Sequence, residues 1–60
     1  MTEKHIAEIK KMLRDRGEVL GRMYSPYEGG FRVIGRSENG TETRYAVSFD
    51  ADGAVSLAEM

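Results

Sequence analysis

Four arginines, Arg22, Arg32, Arg36 and Arg44, fall at even positions along the part of the chain that alternates apolar and polar residues. Even spacing gathers side chains on one side of a β-sheet. A guanidinium is a planar fork of donors suited to carboxylate or phosphate, and arginine is favoured in interface cores. Leu20, Ile34 and Ala46 share the parity and would lie between the arginines, with Tyr24 as an aromatic neighbour.

The other groups that could do chemistry lack company. His5 is the single histidine, there is no cysteine, and Ser25, Ser37, Ser48 and Ser56 have no base beside them in sequence. Asp50 and Asp52 sit in a turn, where neither desolvation nor a cleft would raise a carboxyl for acid work. Asp50-Ala51-Asp52-Gly53 opens like a calcium loop, but Ala54 occupies a ligand position and the twelfth position would fall beyond Met60. Gly29-Gly30 precedes no Lys-Ser/Thr and no helix, so it is no phosphate loop. The sequence therefore predicts no catalytic residue, no metal ligand and no cofactor.

The elements that must position the arginines are set by two glycine-closed turns. Glu38-Asn39-Gly40 separates residues 31–37 from 42–49, and Ala51-Asp52-Gly53 separates Phe49 from Val55. Cross-strand partners share a sheet face, so parity selects the loop length. A two-residue Asn39-Gly40 loop would set odd positions against even ones. A three-residue loop with Gly40 left-handed places Val33 opposite Tyr45, Phe31 opposite Val47 and Arg36 opposite Glu42. The same rule at Gly53 places Phe49 opposite Val55 and Val47 opposite Leu57. Both turns give one apolar face: Phe31, Val33, Tyr45, Val47, Phe49, Val55 and Leu57. The Tyr45–Leu57 hairpin resembles hairpins of PepSY-type domains; the resemblance covers that hairpin alone and implies no activity.

Ahead of the meander, residues 1–16 read as a helix with Ile6, Ile9, Met12 and Leu13 in one apolar stripe and Gly17 as its stop. Thr2 is the expected N-cap, though His5 stands where a capping-box Glu would be. Glu18–Tyr24 reads as a first strand, with Val19, Gly21 and Met23 inward, Leu20, Arg22 and Tyr24 outward, and Gly21 as a bend or bulge. A loop or a strand on another chain is the second reading of residues 18–24, and would leave three strands. Ser25–Gly30 is an irregular connection carrying Tyr27, a candidate interface anchor or a plug for the open end of the core. The expected fold is α+β: residues 1–60 as one domain, an N-terminal helix on one face of a four-stranded antiparallel meander.

Sixty residues allow one small core, and without cysteine no disulfide or thiolate metal site supports it. Self-association into a homodimer, or docking on a partner, would relieve that shortage. Nine basic and ten acidic residues give a formal charge of -1, which argues against binding driven by phosphate neutralisation. No run approaches a membrane span, and no signal-peptide hydrophobic region is present, so cytoplasmic residence is the expectation. The functional expectation is a non-catalytic binding, adaptor or modulator protein, of the kind that phage and mobile elements direct against larger host proteins. Its contacts would be protein–protein, through Leu20, Arg22, Tyr24, Tyr27, Arg32, Ile34, Arg36 and Arg44. Nucleic-acid binding through the same arginines is the alternative.

Overall fold

The computed structural model describes residues 2–60, so Met1, where the helical reading began, lies outside the described residues. Helix α1 spans Glu3–Asp15. Strands β1 (Glu18–Tyr24), β2 (Phe31–Ser37), β3 (Glu42–Phe49) and β4 (Val55–Glu59) follow as an open antiparallel sheet in the order β1-β2-β3-β4. The helix packs on one face, and the other face is uncovered.

Thr2 caps α1 in a capping box that uses histidine in place of glutamate. The Thr2 side chain accepts from the His5 backbone N–H at 3.3 Å, and His5 Nδ1 accepts in return from the Thr2 N–H at 3.3 Å. An imidazole nitrogen free of its proton offers the same lone pair as a carboxylate oxygen, so the cap is complete. The His5 ring also lies 4.8 Å from the Phe49 ring, fastening the first helical turn to the end of β3. At the other end, Gly17 takes φ +78° and its N–H bonds the Arg14 carbonyl at 2.9 Å. That left-handed residue turns the chain into β1.

Both hairpins have the three-residue loops that parity requires. Ser37 N–H bonds Thr41 O and Asp50 N–H bonds Ala54 O, with Gly40 at φ +88° and Gly53 at φ +82°. Asn39 Oδ1 accepts from Thr41 N–H, and Asp50 Oδ1 accepts from the Asp52 and Ala54 N–H groups. These short side chains satisfy the turn backbone locally. The resulting register pairs Val33 with Tyr45, Phe31 with Val47, Arg36 with Glu42, Phe49 with Val55 and Val47 with Leu57.

The first strand differs from the sequence reading in the facing of Val19 and Leu20. The β1–β2 register runs Glu18↔Ser37, Val19↔Arg36 and Leu20↔Gly35, then resumes at Arg22↔Ile34 and Met23↔Val33. Gly21 is the extra residue of a bulge. An inserted residue reverses the facing of everything before it. Glu18 and Leu20 therefore join Met23 on the helix face, and Val19 points outward with 65% of its surface exposed. Leu20 is corrected accordingly: it packs against the core and is no part of the uncovered face.

Ile9, Leu13, Val33 and Tyr45 form the fully buried core, with Leu20, Met23, Val47, Val55 and Leu57 packed against it. Under the last turn of the helix the core becomes polar. Tyr45 OH donates to Glu18 Oε1 at 2.6 Å, and the Arg16 guanidinium lies 4.9 Å from the centre of the Tyr45 ring. Gly35 makes the room: a Cβ there would stand 2.6 Å from Glu18 Oε1 and 3.0 Å from Leu13 Cδ2. Gly35→Ala should thus cost about 1–3 kcal/mol in urea unfolding. Part of that cost should vanish in a Glu18→Ala background, where the nearest obstruction is gone. Equal costs in both backgrounds would separate Gly35 from Glu18.

Candidate functional site

The uncovered face is built from β1 to β4 as rows of directly opposed residues. One row reads Tyr24, Arg32, Ala46, Ala58; the next reads Arg22, Ile34, Arg44; a third reads Val19, Arg36, Glu42. Ile34 is thus flanked across the sheet by Arg22 and Arg44, and along its own strand by Arg32 and Arg36. Opposed residues in a sheet have Cβ atoms about 5 Å apart, and i,i+2 neighbours about 7 Å. Four guanidinium stems therefore surround one half-buried isoleucine.

The four arginines are not equally engaged. Arg36 pairs with Glu42 at 2.9 Å, both side chains about half exposed, the kind of surface pair worth about 0–1 kcal/mol. Arg32 is the most enclosed, with 20% side-chain exposure; it reaches Glu28 Oε1 at 3.8 Å and donates to Met60 Sδ at 2.9 Å. The Arg22 guanidinium lies over the Tyr24 ring, 5.5 Å from its centre. Among the described residues, Arg22 and Arg44 have no carboxylate partner. Beside Arg44, a hollow of about 180 Å³ is lined by Ile34, Glu42, Thr43 and Arg44.

The structure therefore brings Arg22, Tyr24, Arg32, Ile34, Arg36 and Arg44 together on one face. It removes Leu20 to the core and leaves Tyr27 apart, fully exposed in the β1–β2 connection. Tyr27 plugs nothing: Ser25 Oγ bonds Gly30 O at 2.9 Å and Gly29 N–H bonds Pro26 O at 2.9 Å, closing the connection on itself. Val19 belongs to the face and was missed, for the same reason that Leu20 was misplaced. Gly21, a lone glycine inside an alternating strand, is the one signal that could have found both.

Compared with known proteins, the chain matches no family model, no curated protein and no solved structure. Among the described residues, no group of three or more His, Cys, Asp or Glu is placed to hold a metal ion, and no helix is long and apolar enough to cross a membrane.

On the opposite face, Tyr45 is held as a donor. Burial raises its phenol above the usual range, and the hydrogen bond to Glu18 raises it further, while Arg16 works the other way. A phenol raised on folding stabilises the fold below its unfolded value of about 10, and loses that contribution as pH climbs through the folded value. Stability should accordingly fall above about pH 10, and Tyr45→Phe should be less stable at neutral pH yet flatter across the alkaline range. Urea titrations of both proteins would show it; parallel alkaline losses would exclude the linkage.

Proposed function

We propose that this chain is a non-catalytic binding or modulator protein of the cytoplasm that docks a protein partner on its open sheet face. The supporting observation is the cross of arginines about Ile34. An apolar centre ringed by arginine is the composition of an interface core, and arginine is among the residues that most often dominate binding energy. Arg22 and Arg44, without a carboxylate partner among the described residues, call for acidic groups on the partner. The hollow beside Ile34, lined also by Glu42, Thr43 and Arg44, has room for one of its side chains.

Nucleic acid is the second reading, because the same guanidiniums would suit phosphates. The face suits it less well. Sheets that bind single strands stack bases on aromatic side chains. Here the centre is Ile34 and Ala46, and the one aromatic of the face, Tyr24, already has the Arg22 guanidinium over its ring.

Capture from a cytoplasmic extract of the native host should retain a partner on the unaltered chain and lose it on Ile34→Asp. Arg44→Glu should weaken the purified complex at least about tenfold, or about 1.4 kcal/mol, with the larger effect at low salt. Arg44→Glu should melt like the unaltered chain, since its side chain is exposed. Ile34→Asp, half-buried on an inner strand, should melt lower but keep the folded circular dichroism. A salt-dependent shift of mixed DNA or RNA, abolished by Arg44→Glu, would replace the protein reading with the nucleic-acid one.

A further inference from the structure

We propose that β4 is a self-complementary edge through which two copies of this chain pair, β4 against β4 and antiparallel, into one continuous sheet. The seam is distinct from the open face and leaves it free.

The backbone defines the edge. Met60 N–H bonds Arg44 O and Asp50 N–H bonds Ala54 O, and both pairs fit the register that sets Val47 opposite Leu57. Even positions of β4 therefore bond inward to β3. Alternation then directs the N–H and C=O groups of Val55 and Leu57 away from the sheet. Among the described residues no other strand pairs with them.

The two edges of the sheet are guarded differently. At β1 the Gly21 bulge interrupts the register, and the strand carries Glu18 and Arg22. Bulges and charges are the usual means of keeping an edge from pairing. Strand β4 reads Val55-Ser56-Leu57-Ala58-Glu59 with an unbroken register, no proline and a charge only at its end. Apolar side chains are also incompletely covered there: Val55 and Leu57 are half-buried, and the neighbouring Phe49 is 41% exposed.

Charge and parity fix the occupant and the register. Two copies meeting through their open faces would bring eight arginines against four carboxylates, Glu28 and Glu42 of each copy, which like-charge repulsion opposes. The β4 edge carries no such conflict. Antiparallel pairing that keeps the two sheet faces in register has two central choices. With Leu57 opposite Leu57 of the second copy, Val55 faces Glu59. With Ser56 opposite Ser56, Val55 faces Leu57 in both directions and Ala54 faces Ala58, so apolar meets apolar and small meets small. In that register Val55 and Leu57 of each copy exchange N–H···O=C bonds with Leu57 and Val55 of the other, and Ser56 becomes a closely approaching, non-hydrogen-bonded pair.

So short a seam belongs among interfaces under about 1,200 Å², and the dimer should form with a dissociation constant of roughly micromolar to millimolar. Sedimentation equilibrium across that concentration range should show monomer and dimer. Ser56→Lys, whose side chain stands on the exposed face, should keep the monomer's circular dichroism and weaken dimerisation at least about tenfold by setting like charges opposite one another. In a chain without cysteine, Ser56→Cys should oxidise to a disulfide dimer, since the paired Cα atoms stand about 4.5 Å apart, while Ala58→Cys, facing Ala54, should cross-link more slowly. A monomer at every concentration, a dimer indifferent to Ser56→Lys, or cross-linking no faster at 56 than at 58 would each overturn the pairing.

Discussion

The alternation of strand side chains between two faces is the constraint from which everything else in this protein follows. With one helix to cover one face, a sixty-residue chain has room for a single core, and each strand must deliver its apolar residues to that side. Strands β2 and β3 do so with an unbroken period of two. Strand β1 does so with a correction, because Gly21 withdraws one residue from the ladder and returns Leu20 to the side of Met23. The same bulge carries Glu18 beneath the helix, and with it the hydrogen bond that holds Tyr45. One residue without a side chain thus settles both the packing of the first strand and the polar part of the core.

That polar contact matters because so little else is buried. Domains of this size are stabilised by about 3–9 kcal/mol, and among the described residues the buried hydrophobic side chains are Ile9, Leu13, Val33 and Tyr45. A tyrosine brings a large apolar ring to such a core, but its hydroxyl needs a partner once it leaves water. Glu18 supplies one, and no buried side-chain polar atom among the described residues goes unpaired. The geometry that permits this is demanding: Gly35 must remain bare for the carboxylate to lie over β2. A polar bond under the helix C-terminus and a histidine cap resting on Phe49 at its N-terminus hold the two ends of α1 over the sheet.

The meander was legible in the sequence because its signals were redundant. Gly40 and Gly53 each closed a loop, and each loop independently placed the same residues on the same side. The helix was legible for a like reason, its apolar spacing agreeing with a cap and a glycine stop. Where only one signal existed, the reading was weaker. Gly21 announced an irregularity but not its kind: a bend leaves parity alone, whereas a bulge reverses it, and the difference lies in the pairing with β2. The role of Gly35 could not be read at all, since it answers to Glu18, seventeen positions away, and only through the facing that the bulge creates. His5 shows a further limit. Its type fits the capping role poorly by frequency, yet its ring nitrogen supplies the lone pair that the role requires.

The candidate site was legible in its arginines because Arg32, Arg36 and Arg44 lie on β2 and β3, where the register is regular, and Arg22 follows the bulge on β1; it failed at Leu20, which precedes it. Net charge was a poor guide to the surface. The chain as a whole carries -1, yet its uncovered face holds four arginines and the single carboxylate of Glu42 among the residues of its three arginine-bearing rows. The helix is itself net basic, with Lys4, Lys10, Lys11 and Arg14 against Glu3, Glu8 and Asp15. The acids that balance the total therefore lie mostly in β1 and the connections, at Glu18, Glu28, Glu38, Asp50 and Asp52. An approaching partner feels the local field over roughly a Debye length, about 8–10 Å, and not the sum over the molecule. On that scale the two faces of this sheet are different surfaces, one closed by a helix, the other cationic and open. The parity that builds the core on one side necessarily concentrates the arginines on the other.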